Sequence, residues 1–467
     1  MKKTVSIVLA LLLAISMLAA CSDNGTQTTT AGENSQQTTE KKEDTTEKET
    51  VAAKTDESAA QIDGNDELSG TLSFWYSMNE ANQTDPKLLW WKETIGMFEE
   101  KYPGINLEIS NTPDGNQYLT KITTEIAAGN TPDMFQTWLT GRLEPFVTAG
   151  RVQPLNDFLD ARPELKKTIS PLALTFSTFG DSYYALPMQK SGEVVYYNKS
   201  IFSDNNIDVP KTYDEFMEIC AVLSDVEITP VVMGNLDVWP GAIPYMMLFN
   251  RQHGNDLYEE VIVGKAAKFD DPAFAETGML VQEMVDAGIF NDNFNALKYD
   301  EAQVSFYSGK AAMVFDGVWA MTQFLDQMGD DLGFFNFPMV EGGKGSANDY
   351  IVNFDEGFAI SSETKNKELA EVYMEFLFSE ERQVALAESG VLVANVNLPI
   401  DYGALPPIMA ELSTAIDEAD YGFNAYDNPL GSNMGTEFNL AVQRVMAGED
   451  AVSVFNNLNQ LAKVEWE

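Results

Sequence analysis

Three things are scarce in this chain. Its 467 residues include one histidine, His253, and two cysteines, Cys21 and Cys220, and only 29 lysines and arginines stand against 72 aspartates and glutamates. A single histidine excludes a metal site built on a histidine pair, and His253 is expected at the surface or satisfied rather than as a ligand. The net charge of −43 repels nucleic acid and anionic membrane surfaces, so no nucleic-acid partner is expected. The chain also has no Gly-x-Ser-x-Gly elbow, no His-Glu-x-x-His and no Cys-x-x-Cys. Lys310 follows Gly309 in the manner of a phosphate-binding loop, but Ala311 stands where Ser or Thr is required. Asn291, Asn293 and Asn295 have calcium-loop spacing, yet Ala296 replaces the turn glycine and Ala302 the bidentate glutamate, so the stretch reads as a polar loop. A glycosidase needs only two carboxylates, and among 72 acids such a pair can be drawn anywhere. No catalytic residue, cofactor or metal is expected.

What is present begins at the N-terminus. Lys2 and Lys3 precede an apolar run from Val5 to Leu18 that leads into Leu18, Ala19, Ala20 and Cys21. A basic start, a short apolar stretch and small residues before a cut make a secretory signal over residues 1–20. At about 14 residues the run falls short of the roughly 20 that span a bilayer. Leu-Ala-Ala-Cys resembles the lipobox of bacterial lipoproteins, in which the cysteine is acylated and becomes the mature N-terminus. Several acyl chains, at about 0.8 kcal/mol per buried CH₂, hold a membrane far better than one. Cys220 then has no partner. It shares a helical face with Phe216, Ile219 and Leu223 and reads as a small core residue. After the lipidated Cys21, residues up to 69 are Thr, Glu, Lys, Gln, Ser and Asn with almost no large apolar side chain. Such a segment cannot bury enough surface to offset chain entropy and is expected as a disordered tether. As a coil it would span roughly 40 Å, a length that suits holding a domain off a membrane and through a Gram-positive wall.

From Thr71 onward the pattern changes. Leu72 to Tyr76 reads as a buried strand, and Leu88, Trp91, Ile95, Phe98 and Tyr102 recur at helical spacing before Pro103 and Gly104. Ile105 to Ile109 alternates as a strand. A second helix carries Leu119, Ile122 and Ile126 and ends at Gly129, and Pro132 to Phe135 returns as a strand. The middle repeats this logic: strands at Val194 to Tyr197, Thr229 to Met233, Ala311 to Phe315 and Gly357 to Ile360. A helix opens with a capping box at Thr212 and Glu215, and another carries Leu369, Tyr373, Phe376 and Leu377. Strands alternating with helices imply parallel βαβ units and an α/β fold.

Four stretches together resemble the extracellular solute-binding proteins of carbohydrate ABC importers, the group that includes maltodextrin-binding protein. They are Gly129 to Phe135 with Gly150 to Leu155; Tyr184 to Pro187 with Val194 to Lys199 and Pro210 to Phe216; Gly309 to Trp319; and Gly357 to Ser361 leading to the helix at Ala370. They occur in the family's order and cover nearly everything from Thr71. The resemblance implies two lobes, each a mainly parallel sheet flanked by helices, around a hinge. The N-terminal lobe would take residues 70–190 and 348–390, and the C-terminal lobe 191–347 and 391–467. It further implies a monomer held at the outer face of the cell membrane through Cys21. A solute would be captured in the interlobe cleft and delivered to an ABC permease.

Ligands of open α/β sheets bind beyond the carboxyl ends of the strands, where four of the seven tryptophans fall: Trp75, Trp138, Trp239 and Trp319. Sugar C–H faces pack on indole rings while polar side chains bind hydroxyls. The resemblance aligns Trp319 with an aromatic that stacks on sugar, whereas Trp138 is one position away from the family's stacking tryptophan, where this chain has Thr137. Trp90, Trp91 and Trp466 read as helix-face or terminal residues. The polar candidates are Asp316 at a strand end, Lys190 where the chain should cross the cleft, and Asp355 and Glu356 where the family often carries glycines. Three alternatives stay open, one of them a surface lipoprotein with a chemosensory or adhesive role that keeps the fold without serving an importer. A cation such as a polyamine would suit the paired carboxylates, and a secreted polysaccharide-active enzyme would suit the abundance of acids.

Overall fold

Apolar runs from Gly70 onward become strands because their branched and aromatic side chains are covered on both faces by helices. The computed structural model describes residues 68–466, apart from Asn82, Thr84, Tyr402 and Ala404 and the side chain of Asp355. Everything described lies in one unit, Asp63–Glu467. The signal, Cys21 and the tether up to residue 67 fall outside the described residues, whereas Leu68, expected in the tether, packs against the core. No helix among the described residues is long and apolar enough to cross a membrane.

The strands are β1 (Gly70–Tyr76), β2 (Ile105–Asn111), β3 (Met134–Thr137), β4 (Thr178–Phe179), β5 (Ser182–Tyr183), β6 (Leu186–Asn198), β7 (Thr229–Val232), β8 (Ala311–Gly317), β9 (Leu332–Phe335), β10 (Asp349–Ile360) and β11 (Tyr421–Phe423). Apart from the small β4–β5 pair they form one sheet in the order β2-β1-β3-β10-β6-β8-β7, with β11 on β10 and β9 on β6. Parallel pairs stand at either end, β1 with β2 and β3, and β7 with β8. Between them β10 and β6 run antiparallel to each other, to β3 and to β8. These two long strands are the seam of the sheet. The sequence suggests only their ends, Val194 to Tyr197 and Gly357 to Ile360, because Gln189, Lys190 and Ser191 in one, and Asp355 and Glu356 in the other, interrupt the apolar runs. Cross-strand pairing carries the ladder past those polar residues, and register shifts at Asn353, Glu356 and Gly357 mark a bulge there.

Helices cover both ends of the sheet. Helix Pro86–Lys101 is capped by the Asp85 side chain, which accepts from the Leu88 N–H at 3.0 Å. Trp91 and Phe98 are buried as the spacing predicts, but Trp90 is buried too. Its indole N–H donates to the Arg382 carbonyl at 2.9 Å, so a second helix covers a flank the spacing leaves outside. Helix Gly115–Ala127 turns Tyr118, Ile122 and Ile126 inward and leaves Leu119 half-buried. It gives way at Gly129, whose φ of 84° is one a glycine adopts freely. The Thr212 and Glu215 capping box forms as expected, and Cys220 is buried on that helix beside Phe216 and Leu223. His253 ends helix Ala242–His253 half-buried against the Phe249 ring at 5.1 Å, with its Nε2 facing the Glu276 carboxylate at 4.0 Å. One core packs Phe74, Trp91, Phe98, Phe358 and Tyr373 at the β1 end; another packs Phe216, Val231, Phe249, Phe315 and Phe438 at the β8 end. Each such side chain contributes about 1.5–3 kcal/mol by burial.

Candidate functional site

Two groups of aromatic side chains stand at the carboxyl ends of the strands, one at each end of the sheet. At the first, Trp75 is half-buried near the end of β1 and Trp138 directly follows β3. Helix Gly115–Ala127 lies over them. Tyr118 and Lys121, three residues apart on its inner face, reach the same place. The Tyr118 hydroxyl donates to the Gln136 carbonyl at 2.7 Å and lies 3.0 Å from the Trp75 carbonyl. Lys121 Nζ sits 4.2 Å from the centre of the Trp75 ring, and burial lowers its pKa. The Trp138 ring is 6.1 Å from Tyr118 and 5.4 Å from the Arg142 guanidinium, which pairs with Asp427 at 2.7 Å. Glu356, at the bulge of β10, pairs with Lys87 at 2.6 Å, while Lys87 also donates to Gln189 at 2.8 Å. Gly357, next to Glu356, is paired with Thr137 of β3, the residue before Trp138, so this carboxylate stands beside the first group.

The second group is built on β8. Helix Tyr299–Tyr307 points Tyr299 and Gln303, four residues apart, at the end of that strand. Asp316 is wholly buried there. Its carboxylate accepts from the Tyr299 hydroxyl at 2.8 Å, from Gln303 Nε2 at 3.0 Å and from the Gly317 N–H at 2.8 Å. Burial nonetheless pushes its pKa up to about 7, against the lowering effect of those bonds. The Trp319 indole N–H donates to the Tyr299 hydroxyl at 2.8 Å. Trp239 packs 4.7 Å from Tyr299 and 5.8 Å from Trp319, with the two indole planes at 69°. The result is an aromatic corner. Gly317 makes it possible, because a Cβ there would come within 2.2 Å of the Trp319 ring, which folds back over the strand end.

Acid groups link the two. Asp114 caps helix Gly115–Ala127 through the Gln117 N–H at 2.8 Å. Asp300, next to Tyr299, has its carboxyl pKa raised by burial first and then by the charges of Asp237 and Asp114.

The structure brings together Trp239, Trp319 and Asp316 at one end and Trp75, Trp138 and Glu356 at the other. Asp316, expected to reach a ligand, has no exposed surface and its oxygens are engaged, so it supports Tyr299 and Trp319 instead. Lys190 stands apart. It pairs with Asp417 at 2.6 Å and lines a cavity of about 350 Å³ with Phe354, Leu392, Met409 and Ser413, to which none of the four tryptophans contributes. The Asp355 side chain lies outside the described residues. Sequence reasoning missed Tyr299, Gln303, Tyr118 and Arg142. The four-residue spacing of Tyr299 and Gln303, just before the β8 run, was the available signal.

A sequence model of the bacterial extracellular solute-binding protein family matches residues 26–384. An uncharacterized ABC transporter extracellular-binding protein of Pyrococcus horikoshii is 28% identical over 228 residues, 48% of this chain and 51% of that relative. The matched stretch therefore spans about half the length of that curated relative. Among solved structures, one from work on xylan utilization by the thermophilic bacterium Caldanaerobius polysaccharolyticus superposes with a TM-score of 0.77 at 29% identity, covering 84% of this chain and 99% of that one. A chitin oligosaccharide binding protein superposes with a TM-score of 0.77 at 26% identity, covering 85% and 98%.

Proposed function

The chain belongs to the bacterial extracellular solute-binding protein family, and we propose that it is the extracytoplasmic substrate-binding component of an ABC importer, capturing a sugar or oligosaccharide and handing it to a membrane permease. One observation carries this reading. Trp239 and Trp319 meet at 69° with Trp319 fixed through Tyr299 to a buried carboxylate, a preset corner for the apolar face of a sugar ring. Trp75 and Trp138 form the facing wall, with Glu356, Lys87 and Arg142 at hand for hydroxyls. The xylan and chitin-oligosaccharide contexts of the two structural relatives support the sugar class. In this reading the lobes meet near residues 190, 348 and 390, the chain is a monomer anchored through an acylated Cys21, and no chemistry is performed on the solute.

A second reading rests on the acidic rim. Asp237 accepts from the Tyr299 N–H at 2.9 Å, next to Asp300, and two neighbouring acids suit a cationic solute such as a polyamine. Thermal unfolding of the full chain against xylo-, chito- and malto-oligosaccharides, polyamines and amino acids separates the two. A ligand at 100 times its Kd stabilises by about 2.7 kcal/mol, enough to move the midpoint by a few degrees. A shift with one oligosaccharide class, lost in Trp319→Ala, is expected. A shift with polyamines alone sinks the sugar reading and keeps the transport one. Incubation with the same oligosaccharides is expected to yield no new reducing ends, and their appearance would overturn the non-enzymatic reading.

A further inference from the structure

Trp239 reaches the aromatic corner from an unusual piece of backbone. Val238, immediately before it, has φ 64° and ψ −37°, and the Trp239 N–H donates across it to the Asp237 carbonyl at 2.9 Å. Together these define a γ-turn of the positive-φ form, which is rare and strained. A β-branched residue at positive φ is a genuine outlier, because its Cβ crowds the backbone. Such conformations persist only where the surroundings over-determine them, and they gather at ligand clamps.

The surroundings here do so from both sides. Asn235 is wholly buried. Its N–H donates to the Phe294 carbonyl at 2.7 Å, its Oδ1 accepts from the Gly241 N–H at 2.9 Å, and its Nδ2 donates to Asn295 at 2.8 Å. Gln443 Nε2 donates to the Asn235 carbonyl at 2.6 Å. Asp237 accepts from the Tyr299 N–H at 2.9 Å, which ties the turn to the residue that also holds Trp319. With Asn235, Asp237 and Gly241 all pinned, Val238 is where the chain absorbs the mismatch. The residue it redirects is Trp239.

We propose that Val238 is a positioning residue for the solute site. Its strained turn fixes the Trp239 ring over Tyr299 and across Trp319 before a solute arrives, so the corner meets a pyranose ring with both walls already in place. This rests on the sugar reading for the identity of the solute, but the pre-positioning itself does not.

The test uses the full chain labelled with 5-fluorotryptophan. Loss of one ¹⁹F resonance in Trp239→Phe assigns the Trp239 signal among those of the seven tryptophans. Val238→Gly then removes the strain, since glycine adopts positive φ freely. We expect the Trp239 resonance to broaden or move, with Trp90 and Trp91 unmoved and the thermal midpoint unchanged or raised. For maltotriose, xylotriose or chitotriose, whichever shifts the midpoint of the parent chain, Kd should rise about tenfold if the released ring keeps its place about a tenth of the time. Val238→Ile, which keeps the branched side chain, should retain the parent resonance and Kd. An unmoved Trp239 resonance in Val238→Gly would overturn the proposal, as would a lowered midpoint with all resonances disturbed. Failure of all three sugars to bind would count against the sugar reading alone, because the ligand-free resonance still decides this one.

Discussion

The two aromatic groups stand at opposite ends of the sheet with opposite electrostatics. At the β1 end, indole rings are held from outside by cations, Lys121 at 4.2 Å over Trp75 and Arg142 at 5.4 Å from Trp138. At the β8 end, Trp319 is held from inside by hydrogen bonds that run through Tyr299 to a carboxylate with no exposed surface. A cation over a ring is worth about 0.5–1 kcal/mol when exposed and is weakened by salt. A buried network is little screened, and each of its members is costly to remove because its partners are left unsatisfied. The first wall is therefore adjustable and the second rigid. On the sugar reading, a site with one wall of each kind would keep a single recognition geometry while its other side adapts to the solute.

The largest effect that would break this comparison comes from Asp316. Its folded pKa is raised from 3.8 to about 7 by burial, so between those values the folded chain holds a proton that the unfolded chain has released. The stability this gives is complete below about pH 4 and is lost as pH rises through about 7. Asp316→Asn cannot ionise, so the variant should gain on the parent chain from pH 4.5 to pH 8, by about 3 kcal/mol, at about 1.4 kcal/mol per pH unit until the slope fades near pH 7. Urea unfolding at pH 4.5, 6 and 8 reads this directly. Parallel stability curves for parent and variant would show that Asp316 is ionised throughout and that the β8 wall is no more buried, electrostatically, than the other.

How much of this was legible beforehand follows from the range of the forces involved. The four strand-end tryptophans could be read because strand ends and indoles are both local features. For Tyr299 the local signal is only its four-residue spacing from Gln303, and that spacing does not say that its hydroxyl meets Asp316 and Trp319, 17 and 20 residues further on. The burial of Asp316 is not legible in the chain, because it is a property of packing around β8 and not of the Asp-Gly pair. Lys190 lies in β6, yet its partner Asp417 is 227 residues away and draws it from the tryptophans into a different cavity. The long strands β6 and β10 were half-read for the same reason. Their polar middles look like loops until pairing from both sides is known.

Affinity gives the next contrast. Trp319→Ala removes a wall and leaves the Tyr299 hydroxyl without its indole donor, so the oligosaccharide that shifts the midpoint should bind with about 2 kcal/mol less free energy, roughly thirtyfold weaker. Trp138→Ala removes a ring whose neighbours, Arg142 paired with Asp427 and Tyr118 bonded to Gln136, stay satisfied. About 1 kcal/mol, near fivefold, is expected there. Isothermal titration of the two variants side by side decides it. Equal losses would mean that the rigid wall carries no more of the recognition than the adjustable one.

The smallest effect sharpens the comparison. Lys121 donates to Ser110 at 2.7 Å and lies over the Trp75 ring, with its ammonium pKa lowered by burial. Lys121→Met keeps most of the apolar stem and deletes the charge. It should cost about 0.5–1 kcal/mol at low salt, and the difference from the parent chain should shrink as sodium chloride screens the cation. The Trp239 and Trp319 environment, followed by ¹⁹F resonances, should stay unmoved by the same salt. Salt sensitivity at both ends would mean that the buried carboxylate is screened like a surface charge. Insensitivity at both would mean that Lys121 holds Trp75 by its carbon stem, and the two walls would then differ in shape rather than in electrostatics.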